Sequence, residues 1–240
     1  MVVPNTTEDI RFYDNPLVTG DAGIRFYAGY PLVAPNGSVL GTLCLLDVKP
    51  KILDEDERSL FRDLAHIVEQ EIVTIQQATM DELTKLSNRR GFEVLANHAL
   101  QVAKRMNIPA ALLFFDLNDF KQINDTFGHA EGDHALRIFS EELRRNSRGS
   151  DVVGRLGGDE FVAFLTDSTS TDASVYIQRL EDALDKCNSD SNRGYLISYS
   201  VGYVEYDRTR HLSIASMLSE ADVAMYSDKQ SRKASRNLKN

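Results

Sequence analysis

Gly157-Gly158-Asp159-Glu160 sets two adjacent carboxylates directly after two glycines. The glycines permit positive φ and close backbone approach, as a tight chain reversal requires. Neighbouring acids that open the apolar run Phe161-Val162-Ala163-Phe164-Leu165 repel each other unless positive charge sits beside them. A plain turn needs only Gly-Gly or Asp-Gly, so spacing leaves two readings open, a solvated turn and a cation site. A second candidate is Asp116, where the apolar run Ala110 to Phe115 stops abruptly at Asp116-Leu117-Asn118-Asp119. The carboxyl end of a buried strand is where α/β-type sheets tend to place ligands. Taken alone, Asp116 reads better as a helix N-cap. If the hairpin pairs beside its strand, Asp116, Asp159 and Glu160 converge. Three hard oxygen ligands with room for water and phosphate oxygens suit Mg²⁺ or Mn²⁺ rather than zinc.

Net charge sharpens that chemistry. The 240 residues carry a formal charge of −9, which argues against a nucleic-acid polymer held by counterion release. A phosphate-bearing small molecule would also be repelled unless a metal or a local basic cluster offset the field. An apolar content of 42% with 26% charged residues is that of a globular chain able to bury a core. No apolar run approaches the roughly 20 residues of a membrane helix, and no basic stretch followed by an apolar one marks a signal peptide. Cys44 and Cys187 lie far apart, which makes a disulfide framework improbable and a reducing cytoplasm the expected setting.

These side chains need elements to position them. Residues 23–32 and 38–47 read as two strands joined at Asn36-Gly37, a hairpin signal. From Asp54 to about Thr79 the pattern is helical, with Asp54 as cap and Asp56 and Glu57 in the first turn. Phe61, Val68 and Ile75 recur every seven residues; a coiled-coil seam and a helix packed on its own hairpin both fit. Beyond Asp81 the spacing predicts a helix over 93–106 and a strand over 110–115. Two helices follow, separated by a loop at Gly128-His129-Ala130-Glu131-Gly132. Strands over 151–156 and 160–165, a helix over 171–187, a strand over 195–206 and a last helix over 213–229 complete the chain. The expected class is α+β, a mixed sheet flanked by helices, with a small β-hairpin and helix module in front.

The motifs resemble one family throughout this second part. Gly157-Gly158-Asp159-Glu160-Phe161 is similar to the signature of diguanylate cyclase (GGDEF) domains. Asp81-Glu82-Leu83-Thr84 through Asn88-Arg89-Arg90 resembles the family's opening segment, and Asp116 through Asp125 its metal and nucleotide stretch. Phe127-Gly128-His129 through Gly132-Asp133 resembles its loop, and Ala221-Asp222 through Met225-Tyr226 its last helix. The resemblance implies a nucleotide-cyclase-like fold over 81–240. It implies Mg²⁺ (or Mn²⁺) on Asp116, the Leu117 carbonyl and Asp159, with Glu160 aiding a second metal or the attacking hydroxyl, and Gly157 and Gly158 shaping the catalytic turn. Asn124 and Asp133 would read guanine, Phe120 and Lys121 would face phosphate through backbone amides at a helix start, and Lys229 and Lys233 would reach the terminal phosphates.

The implied reaction joins two GTP into cyclic di-GMP. A 3′-hydroxyl attacks an α-phosphorus and pyrophosphate leaves, twice, across a homodimer. Arg148-Gly149-Ser150-Asp151 matches the family's inhibitory Arg-x-x-Asp site for the product, although Arg144, Arg145 and Arg148 also suit the negative end of a helix dipole. Two departures stand out. Asn118 replaces a second Asp, which removes one carboxylate near the metals, and Lys233 replaces an Arg, a point charge for a bidentate fork. The alternative function is a catalytically silent domain that serves as a cyclic di-GMP or GTP receptor.

Residues 1–75 resemble the C-terminal half of a GAF sensory domain, from Asp14-Asn15-Pro16 through Gly29-Tyr30-Pro31-Leu32 to Leu40-Gly41-Thr42-Leu43-Cys44. The first half of that fold is missing, which a truncated chain, a misassigned start or a naturally reduced module would each explain. The expected partition is a partial GAF-like module over 1–53, a helix or coiled-coil linker over 54–80 and the cyclase domain over 81–240. An incomplete sheet leaves an open edge, so a dimerising role is expected before a sensory one.

Overall fold

The computed structural model describes residues 1–237 apart from Asn36 and Asn192, with side chains up to Ser231. The chain divides into two compact units, Met1–Gln76 and Gln77–Asn240. Among the described residues, no helix is long and apolar enough to cross a membrane.

In the first unit, β1 (Val2–Val3), the short helix α1 (Pro16–Thr19), β2 (Phe26–Val33), β3 (Val39–Asp47) and α2 (Glu55–Thr79) follow in order. The strands form an antiparallel sheet, β1-β2-β3. Asn36 of the expected turn lies outside the described residues. Asp54 and Glu57 exchange side-chain to backbone bonds of 2.8 and 3.1 Å at the start of α2, which is the capping expected of them. Phe61 and Ala65 are buried on the helix, and Phe61 packs with Phe26, Ala28 and Leu53. One seam candidate, Phe61, is therefore spent on packing within this unit, while Leu60, Leu64, Ile67 and Ile75 remain exposed.

The second unit holds α3 (Arg89–Met106), β4 (Ala110–Leu117), α4 (Phe120–Phe127), α5 (His129–Asn146), β5 (Val152–Gly157), β6 (Glu160–Thr166), α6 (Ser170–Asp190), β7 (Tyr199–Glu205) and α7 (Ile214–Asn237). The sheet order is β5-β6-β4-β7. The α+β class stands, but the sheet expected to be mixed is antiparallel in each ladder, and among the described residues parallel pairing is confined to the isolated bridge Ser87–Gly154.

β4 is buried along its whole length because both faces are covered. Ala111, Leu113, Phe115 and Leu117 pack with α5 and α6 through Phe139, Leu143, Tyr176 and Leu180. Ala110, Leu112 and Phe114 pack on the other face with α3 and α7 through Phe92, Leu100, Met217 and Met225. This is the period of two expected of a strand. Two boundaries differ from the sequence reading. The expected loop 128–132 is mostly the first turn of α5, since Gly128 alone, at φ 89, turns the chain between helices. The strand expected over 195–206 begins only at Tyr199.

A candidate nucleotide and metal site at the end of the central strand

Parity along β4 places the first carboxylate. Asp116 shares the face of Ala110, Leu112 and Phe114, the face covered by α3 and α7. Its Oδ1 accordingly lies 2.5 Å from Nζ of Lys229 on α7. Close approach of that helix depends on Gly202 of β7, where a Cβ would fall 2.2 Å from both the Ala221 carbonyl oxygen and the Met225 nitrogen.

Register places the second pair. Asp116 is opposite Glu160 on β6, and the Leu117 amide donates to the Asp159 carbonyl at 3.1 Å. Asp116, Asp159 and Glu160 are thereby gathered at one end of the sheet. Gly157 and Gly158 take φ 150 and 51, and a Cβ on either would meet nothing within 4 Å. The pair is needed for backbone conformation, and it leaves open space over the turn.

Arg155 fixes this turn from behind. Its Nε and Nη2 donate to the Gly158 carbonyl at 3.0 and 2.8 Å, while Nη1 reaches both carboxylate oxygens of Asp81 at 3.1 and 3.2 Å. Burial and the neighbouring Asp116 push the Asp159 carboxyl above its ordinary pKa, against the pull of Lys229 and Arg155. Glu160 is likewise pushed up, by burial and then by Asp222, Asp159 and Asp116, although Arg89 at 3.6 Å opposes the shift. The cluster is short of positive charge.

That shortage is what a divalent cation relieves. Asp116, Asp159 and the Leu117 carbonyl offer hard oxygens, with Glu160 adjacent. Among the described residues, no three His, Cys, Asp or Glu side chains form a cage able to hold a metal alone. The hard-oxygen chemistry of Asp116, Asp159 and the Leu117 carbonyl fits Mg²⁺, which keeps several waters or phosphate oxygens.

The base-reading candidates sit across the α4–α5 turn. A Cβ on Gly132 would fall 2.0 Å from Asn124 Oδ1, so the backbone of α5 packs directly on that amide. Asp133, half-buried, is the next residue. α4 opens at Asp119 in the left-handed conformation with no side-chain cap, so the amides of Phe120 and Lys121 begin the helix without one. Asn118 turns to β7, accepting from the Ser200 hydroxyl at 2.8 Å and donating to Ser198 Oγ at 3.4 Å. The Lys233 side chain lies outside the described residues.

Arg148 and Asp151 lie elsewhere, in a surface pocket lined also by Ser168, Asp172, Tyr176 and Arg179. Asp151 accepts from the Arg148 amide at 2.8 Å and from the Thr166 amide at 3.2 Å. Arg145 pairs with Glu142, which leaves Arg148 the arginine of its segment that faces the pocket. Sequence reasoning missed Arg179, Arg155 and Arg89. Arg155 stood two residues before Gly157 and was the one with a visible signal.

Comparison with known proteins gives the family of each unit. Residues 78–235 match the family described as "Diguanylate cyclase, GGDEF domain", and residues 1–72 match the GAF domain. The Escherichia coli K12 protein "Diguanylate cyclase DgcP" is 30% identical over 226 residues, 87% of this chain and 65% of the relative. A Pseudomonas aeruginosa protein, "Bifunctional diguanylate cyclase/cyclic di-GMP phosphodiesterase MucR", is 37% identical over 155 residues, 63% of this chain and 22% of the relative. The chain thus spans less than two thirds of the length of these curated relatives. The crystal structure of the coiled coil and GGDEF domain of DgcB from Caulobacter crescentus, in complex with c-di-GMP, superposes with a TM-score of 0.64 at 25% identity. That match covers 72% of this chain and 92% of the other. With more than half of its residues under one family match and that family's signature in the β5–β6 turn beside the end of β4, the chain belongs to the diguanylate cyclase GGDEF-domain family.

Proposed function

We propose that residues 81–240 act as a diguanylate cyclase that condenses two GTP into cyclic di-GMP and two pyrophosphates. The observation that carries this reading is the gathering of Asp116, Asp159 and Glu160 at one sheet end in a chain of this family. Asp133 can accept from guanine N1–H and the 2-amino group together, whereas adenine presents an acceptor at N1. Asn124, held against α5, would fix the base beside it, and the amides of Phe120 and Lys121 would face phosphate.

Asp116, the Leu117 carbonyl and Asp159 would hold Mg²⁺ or Mn²⁺, which supplies polarisation of the α-phosphate and offsets charge on the attacking and leaving oxygens. Glu160, made more basic by burial and by the acids around it, takes the proton of the 3′-hydroxyl as that oxygen attacks the α-phosphorus. Lys229 neutralises Asp116 in this structure and, with Lys233, supplies cationic charge for the terminal phosphates. Each chain carries one such site and the product needs two GTP, so the working form is a homodimer with sites face to face. Arg148 and Asp151 form the product-inhibition site, and Arg179 adds a second guanidinium to it. Residues 1–53 and the helix over 54–80 then serve as a GAF-derived module and linker that bring two copies together.

The test is to incubate nucleotide-stripped protein with GTP and Mg²⁺ and to separate the products, beside Asp159→Ala and Glu160→Ala. The intact chain yields cyclic di-GMP, and each variant loses on the order of 10²–10³-fold in rate. No product from intact, dimeric protein would overturn the cyclase reading and leave the receptor reading, for which cyclic di-GMP titration is the next experiment. Arg148→Ala should abolish inhibition by added product; inhibition that persists in the variant removes the regulatory part alone.

A further inference from the structure

Glu131 lies in the first turn of α5, directly before Gly132 and two residues before Asp133. Its two carboxylate oxygens accept from Arg193 Nη1 at 2.8 and 2.7 Å, and Oε2 also accepts from the Tyr195 hydroxyl at 2.8 Å. The Tyr195 ring meets that of Phe127, the last residue of α4, at a centroid distance of 5.2 Å. One short segment, bent at Gly194, therefore grips the chain on both sides of Gly128, the turn between the helices that carry Asn124 and Asp133.

The far end of the same segment is tied as firmly. The Ile197 amide donates to Asn188 Oδ1 at 2.8 Å, and the Ile197 carbonyl accepts from Asn188 Nδ2 at 2.9 Å. The Ser198 carbonyl then accepts the Asn118 amide at 2.8 Å, two residues from Asp116. Residues 193–198 thus form a strap from the α4–α5 turn to the carboxylate end of β4. With Arg193 and Glu131 40% and 32% exposed, this ion pair adds little to the stability of the fold. Hydrogen bonds from Tyr195 and then Arg193 hold the Glu131 carboxyl below its ordinary pKa, so the anion is the form engaged at neutral pH.

We infer that Glu131, Arg193 and Tyr195 are positioning residues for the nucleotide base: they close a strap that fixes the turn bearing Asn124 and Asp133 relative to Asp116. This rests on the reading that Asn124 and Asp133 receive guanine. A base contact is worth most when its geometry is fixed before binding, so loosening the strap should weaken base recognition and leave the reacting centre in place.

The test uses the full chain with GTP and with inosine triphosphate, which lacks the 2-amino group. Arg193→Ala should raise the KM for GTP about threefold, within what a partly exposed ion pair can transmit, and reduce the preference for GTP over inosine triphosphate in binding. Arg193→Lys should recover part of both, and Tyr195→Phe, which removes only a hydroxyl, should show the same shifts at smaller size. A fall in kcat or in melting temperature with KM and preference unchanged would overturn the inference. Asp133→Ala separates the two levels. If it abolishes the preference while the strap variants keep it, only the strap fails. If Asp133→Ala keeps the preference too, the guanine reading itself fails and the inference with it.

Discussion

All eight residues of β4 are buried, whereas in β3, a strand of nine, only Gly41 and Leu43 are even partly covered. The difference lies in their neighbours. β4 has a strand on each side and helices over both faces. β3 is the edge of a three-stranded sheet, and Val39, Leu45 and Leu46 face outward at 71, 40 and 55% exposure. A strand sealed on every side can present a polar side chain only near its end, and Asp116 is the last residue but one of β4. An uncovered strand places its apolar side chains in water and offers its free edge for pairing. Chemistry went to the strand whose position is over-determined.

The largest test of this contrast is Phe115→Ala. Phe115 is fully buried and meets Phe139 and Tyr199 at 5.9 and 5.4 Å, so truncation should cost the second unit about 3–5 kcal/mol. Denaturant unfolding followed by a probe in residues 77–240 would show it, and a loss below about 1 kcal/mol would break the claim that two-sided packing holds β4.

Next is Asp81. Burial raises its pKa, but the Thr84 hydroxyl and amide and the Arg155 guanidinium outweigh burial and leave it below the ordinary carboxylate value. A depressed carboxyl stabilises the fold fully above its unfolded pKa and loses that stabilisation as pH falls through the folded value. Asp81→Asn should therefore cost about 1–2 kcal/mol at neutral pH and flatten the acid limb of stability below about pH 4. An unchanged acid limb would mean that Arg155 and Thr84 do not fix the opening segment as described.

In the first unit the effects shrink. Asp54→Ala removes the α2 cap and should cost about 1 kcal/mol, measured on residues 1–76 by the same unfolding experiment. Leu46→Ser should change stability by less than about 0.5 kcal/mol, because the side chain is already in water. It should also weaken any self-association seen by light scattering. A large destabilisation would show that β3 is covered in solution and erase the contrast.

Much of this was legible in the residue order, and the remainder was hidden for identifiable reasons. The run Ala110 to Phe115 and the reversal at Gly157-Gly158 announced neighbouring strands, and their pairing brings Asp116 opposite Glu160 as the converging carboxylates required. The 195–198 segment looked like strand, but the Ile197 amide and carbonyl both go to the Asn188 side chain instead of to a neighbouring strand. Local pattern cannot show such competition between side chain and ladder. Lys229 and Asp116 are 113 residues apart, and nothing in either neighbourhood marks the pairing. Arg179 was equally invisible, since its role depends on α6 passing the Arg148 turn.

The Leu117–Asp159 hydrogen bond has one more consequence. Asp116 and Glu160 are opposite partners on one rung of the β4–β6 ladder, so their backbones are separated by the interstrand spacing of any antiparallel sheet, about 5 Å. The gauge of the site is thus inherited from peptide geometry and needs no particular side chain to maintain it. Substitutions around it can retune charge and lining, as Asn118 does, while the ruler itself stays the same length.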